Sequence, residues 1–478
     1  MTSDTEIPTP DRPVPPQWTP KVISFLKSPA VKFVLIGFVT LMLMIPTTFV
    51  WVLVEERADR AREVARDIAA SWGGAQEING PYLAVPFTET YTVGTGEKAR
   101  TQIDRHLAVF FPERLDVAGD IAVEERQKSI YSLPVYRGEL VLSGRFAAPD
   151  ETAFGAEHGG SLDIHANKAV LVMGIGDVRA LKSEVTLGFG NGQSSKFEPG
   201  SDVLTVSPSS FSRGAVRPSG INASVPPLKW RKGFQFNIAL QLNGSTSLFV
   251  APAGQTTKVT LRSDWPHPGF TGSFLPEQRT ISETGFDATW TIPYLARGIP
   301  KVWSEDHLPL QDRMMGVQFV EPVNFYQTIS RSLKYAIGFI SLIFLAVFVL
   351  ELQSGWRVHW IQYGLVGLAL IIFYVMLLAF AEHVGYSRAY LIAASAATTL
   401  NAFYIGTSLK SRVAGLVMFA VLAGIFAVLF ALMREQDYAL LIGSVIAFVA
   451  LAITMFATQK IDWTGMSPGA ARSDGMSA

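Results

Sequence analysis

The placement of apolar residues constrains this chain more than any other feature. One uncharged apolar run covers 33–54, residues 55–331 have ordinary polar content, and five further apolar runs fill 333–458. A helix over Phe33–Val54, at about 1.5 Å of rise per residue, spans roughly the 30 Å of a bilayer's hydrocarbon. A cleaved signal peptide would carry an apolar core of only about 7–15 residues and a small-residue cleavage site. Here the run continues into Phe49-Val50-Trp51-Val52-Leu53-Val54, so an uncleaved anchor is expected.

Polar punctuation divides the C-terminal runs into 333–351, 360–381, 389–409, 413–433 and 438–458, each of about 20 residues and sufficient for one crossing. Separators such as Lys410-Ser411-Arg412 are short enough to force antiparallel neighbours. Gly338, Gly364, Gly367, Gly415, Gly424 and Gly443 are candidates for close approach of helix backbones. Cytoplasmic loops hold the excess of Lys and Arg, and Lys21, Lys27 and Lys32 precede the first span. With six spans, that side also holds Arg357, Lys410, Arg412, Lys460 and Arg472, against Arg388 and Arg434 opposite. Arg331 and Lys334 fall on the other side, next to a long translocated segment, where the rule is weak. Both termini are therefore expected in the cytoplasm of a bacterial cell, with a multi-pass inner-membrane protein presenting its insert to the periplasm.

Composition narrows the chemistry. The net charge of zero provides no field to attract nucleic acid. The absence of cysteine removes disulfides, thiolate catalysis and Cys-based metal sites. Six prolines in the first 20 residues make 1–32 a disordered tail by composition; 459–478 is read as a second cytoplasmic tail, disordered from Met466 onward.

Between the membrane segments the periodicity changes. Glu55 to Trp72 is rich in helix formers and should extend the first span as a helix, stopped by Gly73-Gly74. Beyond it, strands are expected at 83–87, 107–111, 117–124, 139–146, 169–175, 184–189, 234–242, 247–251, 258–262, 287–293 and 316–320, separated by Gly, Pro, Asn and Asp. Phe234, Phe236, Ile238 and Leu240 alternate with Gln235, Asn237, Ala239 and Gln241, which puts one face in a core and the other in water. The expected fold is an α-helical integral membrane protein with six spans, one plus five. It carries a large inserted all-β domain over 55–331, sandwich- or barrel-like and antiparallel, as one body or as two subdomains divided near 191–227.

Several ordered strings resemble one family. They include Ile130-Tyr131-Ser132-Leu133-Pro134-Val135-Tyr136-Arg137, Trp265-Pro266-His267-Pro268-Gly269-Phe270-Thr271-Gly272, Gln362-Tyr363-Gly364-Leu365-Val366-Gly367-Leu368, Glu382-His383-Val384-Gly385 and Ile461-Asp462-Trp463. The chain in these respects resembles the CreD family of inner-membrane proteins. That resemblance implies a contribution to cell-envelope integrity, a link to a two-component regulon and to colicin and β-lactam tolerance, and no accepted reaction. Two departures are the proline-rich tail and Gln459-Lys460, where the family pattern has an arginine.

The residues themselves offer few chemical candidates. Glu382 and His383 stand out, because ionisable groups at membrane depth are costly and usually functional. A charged helix end wetted by interfacial water is the preferred reading, and a proton relay or lipid-headgroup contact is the alternative. Asp264, Trp265 and His267 gather a carboxylate, an indole and an imidazole in one loop, either as ligand contacts or as a proline-stiffened turn that plugs the core. None of the seven histidines has zinc-binding spacing, and no phosphate loop, nucleophile elbow or Ser-x-x-Lys string occurs. No cofactor or metal is expected, and the chain is read as a non-enzymatic envelope factor. Its β domain would bind a periplasmic protein, a peptidoglycan fragment or a lipid-linked molecule, and its helices would contact the bilayer. The alternative is a permease for a small or amphiphilic solute, with Ser395, Thr398, Thr399 and Asn401 as its only intramembrane polar cluster.

Overall fold

A computed structural model of the chain describes residues 29–149, 154–190, 192–200, 220–303, 311–319, 325–354, 358–434 and 439–459. Of the expected tail over 1–32, residues 1–28 lie outside the described residues, while 29–32 open the first helix; the expected tail over 459–478 lies outside them from residue 460. The chain divides into two compact units, one formed by 1–59 with 323–478 and the other by 60–322.

In the helical unit, α1 (Pro29–Met42) and α2 (Met44–Trp72) are separated by one residue and make a single 41-residue rod from Lys32 to Trp72. The apolar run and the charged stretch after it thus form one helix, as their helix formers demand. After the β unit come α5 (Phe325–Lys334), α6 (Ala336–Ser354), α7 (Trp360–Val384), α8 (Tyr386–Ser408), α9 (Arg412–Arg434) and α10 (Ala439–Thr458). Among the described residues, three helices are long and apolar enough to cross a membrane: Lys32–Trp72, α7 and α9. A fourth candidate is the pair α5 and α6, bent by 55°. The sequence places the start of this span at Leu333, but Leu333 belongs to α5. That helix buries Tyr326, Ile329 and Leu333 on one face and carries Arg331 and Lys334 in its last turn, an amphipathic pattern distinct from the apolar α6.

Side chains such as Phe38, Phe49, Phe403, Leu416 and Phe448 point outward from this unit, as lipid-facing surfaces require. Its interior is aromatic: Phe373 packs against Tyr390 and Phe426, and the Tyr390 hydroxyl donates to the Phe426 carbonyl at 2.6 Å. Of the glycines singled out in the sequence, Gly367 and Gly415 serve close packing. A Cβ on Gly415 would lie 3.3 Å from Gly406 Cα, and one on Gly367 would overlap Leu43 and Phe344. Gly338, Gly424 and Gly443 face open space, and Gly364 meets only ordinary contact.

The β unit contains every strand expected from the sequence, several of them longer, with short additions. In chain order these are β1 (Gln76–Val93), β2 (Arg100–Phe110), β3 (Arg114–Lys128), β4 (Tyr131–Phe146), β5 (Ser161–Ile164), β6 (Val170–Ile175), β7 (Thr186–Phe189), β8 (Ser194–Lys196), β9 (Glu198–Pro199) and β10 (Gly220–Ser224). After the short helix α3 (Pro227–Trp230) come β11 (Phe234–Ser245), β12 (Ser247–Val250), β13 (Thr256–Ser263), β14 (Pro268–Gly272), β15 (Gln278–Ser282) and β16 (Gly285–Ile292). The helix α4 (Tyr294–Arg297) then leads to β17 (Val302–Trp303) and β18 (Met315–Phe319). One sheet follows the order β14-β18-β12-β1-β6-β10-β9, with β2, β5 and β17 attached through β1 and β2. The other runs β15-β16-β13-β3-β4-β11-β7-β8.

Pairing is antiparallel except at β1/β12 and β3/β13, which are parallel and correct the all-antiparallel expectation. Parallel neighbours need long crossovers, and both pairs join segments more than a hundred residues apart in sequence. One apolar core takes side chains from both sheets, including Leu83, Val85, Leu142, Phe236, Ile238, Leu261 and Trp290, so the β unit is not divided near 191–227. Trp290 and Trp230 are buried, with their indole N–H groups bonded to the carbonyls of Phe274 and Ala166. Arg297 is buried as well. Its guanidinium donates to the carbonyls of Ala253, Ile299 and Pro300 and lies 4.4 Å from the centre of the Phe111 ring.

Candidate functional site

The outer face of the eight-stranded sheet carries an open groove of about 1100 Å³. Strand alternation and register build its floor. Lys258 stands opposite Thr291 on one side and Asp116 on the other, Asp116 opposite Ser143, Ser143 opposite Asn237, and Asn237 opposite Gly188. These six positions form one row across six strands, roughly 24 Å long at about 4.8 Å per strand. A second row, two residues along, runs Thr256, Arg114, Arg145 and Gln235. The same alternation turns Leu115, Val117, Leu142, Phe236 and Val259 inward, so core and groove floor are opposite faces of the same strands.

The groove carries three cations, Arg114, Arg145 and Lys258, and two carboxylates, Glu113 and Asp116, and its lining also includes the apolar Phe189 and Phe236. Arg114 grips Asp116 through two hydrogen bonds of 2.7 and 3.1 Å, which hold the guanidinium above its ordinary pKa. Arg145 reaches Glu113 only at 3.9 Å. Arg114 and Arg145 are direct cross-strand partners, an arrangement that destabilises a sheet through like-charge repulsion. Ser143, Asn237, Gln235, Thr256 and Thr291 add hydroxyl and amide groups beside them. Such a surface can bind an extended polar chain that bears anionic groups. Alternation alone marks Gln235, Asn237 and Lys258 as outward-facing, but the sequence does not reveal that distant strands bring them into one row.

The sequence-derived candidates lie elsewhere and in two separate places. Asp264 accepts a hydrogen bond from the Val123 amide at 2.9 Å, and the Trp265 indole N–H donates to the His267 carbonyl at 3.1 Å. Trp265 packs against the core, and Phe270 meets Phe286 and Trp290 edge-on. Asp264 and His267 point to solvent. This loop makes the contacts of a stiffened, core-plugging turn.

Glu382 and His383 part company in the helical unit. The Glu382 side chain is 8% exposed, accepts from the Tyr326 hydroxyl at 3.1 Å and lies 3.9 Å from the Arg57 guanidinium. His383 is exposed. Instead of a polar link over 382–388, the helices break at Gly385 alone, whose φ of 80° suits glycine. Glu351 occupies a comparable place. It pairs with Lys32 and accepts from the Val358 amide and the Tyr363 hydroxyl, at 3.1 and 2.9 Å. The first rod thus offers two cations, Lys32 at its start to a carboxylate of α6 and Arg57, well before its end at Trp72, to one of α7. These cations are about 37 Å apart along a helix, close to the depth of a bilayer with its interfaces. In α8, Thr398 and Asn401 are buried, whereas Ser395 is exposed and bonds within its own helix.

Comparison with known proteins agrees with this architecture. The chain is 34% identical over 430 residues to the inner membrane protein CreD of Escherichia coli K12, covering 89% of this chain and 92% of that relative. A solved structure from Parabacteroides distasonis, described as a suspected protease, covers 66% of this chain and 58% of its own. At 11% identity and a TM-score of 0.22 it carries no argument. The sequence profile described as inner membrane protein CreD matches residues 28–464, nearly the whole length. The chain belongs to the CreD family of inner membrane proteins.

Proposed function

We propose that this protein supports cell-envelope integrity without catalysing a reaction. It would hold the β unit outside a bacterial inner membrane, where the cross-strand groove binds an extended polar chain of the envelope. In this reading the protein is multi-pass, with six spans and both termini in the cytoplasm. Support for that topology comes from the three apolar helices, the bent pair α5 and α6, the remaining helices α8 and α10 of 23 and 20 residues, and the Lys and Arg bias of the short loops.

The groove carries the proposal. Its six-residue row is too long for a compact metabolite and suits a linear ligand lying across the strands. The face-to-face Arg114 and Arg145, with Lys258 in the next row, favour a ligand with carboxylates. The amides and hydroxyls beside them favour sugar hydroxyls and peptide groups. A peptidoglycan strand with free carboxylates on its stem peptides has this chemistry.

The test titrates soluble, carboxylate-bearing peptidoglycan fragments onto the full chain in lipid nanodiscs. Saturable binding is expected, with a loss of tenfold or more in Arg145→Glu plus Lys258→Glu, since each lost charge-assisted hydrogen bond is worth about 1.5–3 kcal/mol. Equal binding by wild type and variant would exclude the groove as the site, and no binding by either would exclude this ligand class.

A further inference from the structure

Away from the groove, β1 buries one carboxylate completely. Glu89 is 0% exposed, and its two oxygens accept hydrogen bonds from the backbone amides of Glu157, His158 and Gly160 at 3.0, 2.8 and 2.9 Å. The segment 154–160, anchored at one end by Phe154 against Phe87, Phe110 and Trp230, is thereby folded over the sheet. Burial pushes the Glu89 carboxyl up, but the amide donors outweigh it and hold the group below the ordinary carboxylate range.

Two histidines flank this anion. His106 stacks on Phe87 at 5.2 Å and places Nε2 3.9 Å from Glu89 Oε2, and that buried nitrogen has no hydrogen-bond partner among the described residues. His158 stacks on Tyr91 at 4.1 Å, with Nδ1 3.6 Å from the same oxygen. Neither distance is a hydrogen bond, and each closes to one by a small rotation once the ring carries a second N–H. Among the described residues, few other charged groups face Glu89. Its cross-strand partner Asp104 is occupied by the Tyr91 hydroxyl at 2.6 Å, which holds Asp104 below its ordinary value. Glu157 sits in the covering segment itself. From β5, Leu162 is the residue opposite Glu89, while Asp163 and Arg105 register with Thr88 on the other face.

We propose that Glu89, His106 and His158 form an acid-tightened clasp: with both imidazole nitrogens protonated, the two rings are drawn onto the buried carboxylate and lock 154–160 against β1 and β2. At neutral pH the three amide bonds hold the segment alone. In mild acid two charge pairs are added, and the clasp loosens again only in stronger acid, when Glu89 itself takes a proton. On the topology proposed above, the β unit meets such pH changes directly. The device is independent of what the groove binds.

The test is hydrogen–deuterium exchange on the full chain in nanodiscs, following the peptide over 154–164 at pH 7.5 and 5.5 after correction for intrinsic exchange. Protection should rise about fivefold at the lower pH, the yield of partly exposed charge pairs. His106→Asn and His158→Asn together should abolish that rise while leaving protection at pH 7.5 and across β4 unchanged. Glu89→Gln should lower protection at both pH values. A pH-independent wild type, or a rise that survives in the double histidine variant, would overturn the proposal.

Discussion

Replacing Glu351 by alanine removes the acceptor for three groups at once. Its side chain is 10% exposed, and it serves the Lys32 ammonium, the Val358 amide and the Tyr363 hydroxyl, tying the first rod, the end of α6 and the first turn of α7 together. Breaking a buried ion pair by removing one partner costs about 3–5 kcal/mol, because the remaining charge is left desolvated. Lys32 keeps 24% of its side chain exposed and can recover some hydration, which favours the lower end. Tyr363→Phe deletes one hydrogen bond to a charged acceptor, worth about 1.5–3 kcal/mol. The two losses overlap, since a Tyr363 hydroxyl without Glu351 has already lost its bond.

A double-mutant cycle, read by reversible unfolding in detergent micelles, should therefore return a coupling of about 1–2 kcal/mol between Glu351 and Tyr363. A coupling near zero would refute the shared acceptor and leave Glu351 as a solvated helix end.

Other consequences can be checked separately. In the β unit, Gly316→Ala places a Cβ 2.1 Å from the Leu248 carbonyl oxygen in the middle of the β12/β18 pair, so thermal unfolding should fall by roughly 2 kcal/mol or more, whereas the exposed Asn237→Ser should change it by less than about 0.5 kcal/mol. Glu382→Gln keeps an acceptor for Tyr326 but loses the half-exposed Arg57 pair; a change below about 1 kcal/mol is expected by calorimetry, against a larger loss in Glu382→Ala. The depressed Glu89 carboxyl stabilises the fold above the unfolded-state pKa of about 4.3, and this contribution disappears as pH falls through its lower folded value. Unfolding midpoints measured from pH 7 to 2 should thus decline less steeply below pH 4.3 in Glu89→Gln than in wild type.

What the sequence revealed and what it concealed follow from the range of the interactions. Apolar runs and the alternation through Phe234, Phe236, Ile238 and Leu240 depend only on near neighbours, and the structure buries those four side chains as a period of two requires. Strands without that alternation escaped notice. β14 is rich in glycine with a proline at its start, and β15 is exposed at every position, so neither has a core face to read. Pairings were hidden because register is set by partners far away: β3 meets β13 across more than a hundred residues, and the groove row exists only once six strands align. Glu89 carried a weak local signal, a carboxylate between Phe87 and Tyr91 on an otherwise apolar face of a strand. Its histidines lie 17 and 69 positions further along the chain, which no spacing rule anticipates. Lys32 and Glu351 each read as an ordinary charged helix end, and only their contact distinguishes them.

Filling the groove separates a working β surface from a working helix bundle. Asn237→Trp adds an indole at the fifth position of the six-residue row, between Ser143 and Gly188, at an exposed position where folding should be indifferent. The measurement is survival under detergent and cell-wall antibiotic stress in a bacterial strain lacking its own member of the family, complemented with wild type, Asn237→Trp or Glu382→Gln at matched membrane levels. Asn237→Trp is expected to fail to restore survival, while Glu382→Gln restores it. Full rescue by Asn237→Trp together with failure of Glu382→Gln would contradict it, moving the working site from the β groove into the helices.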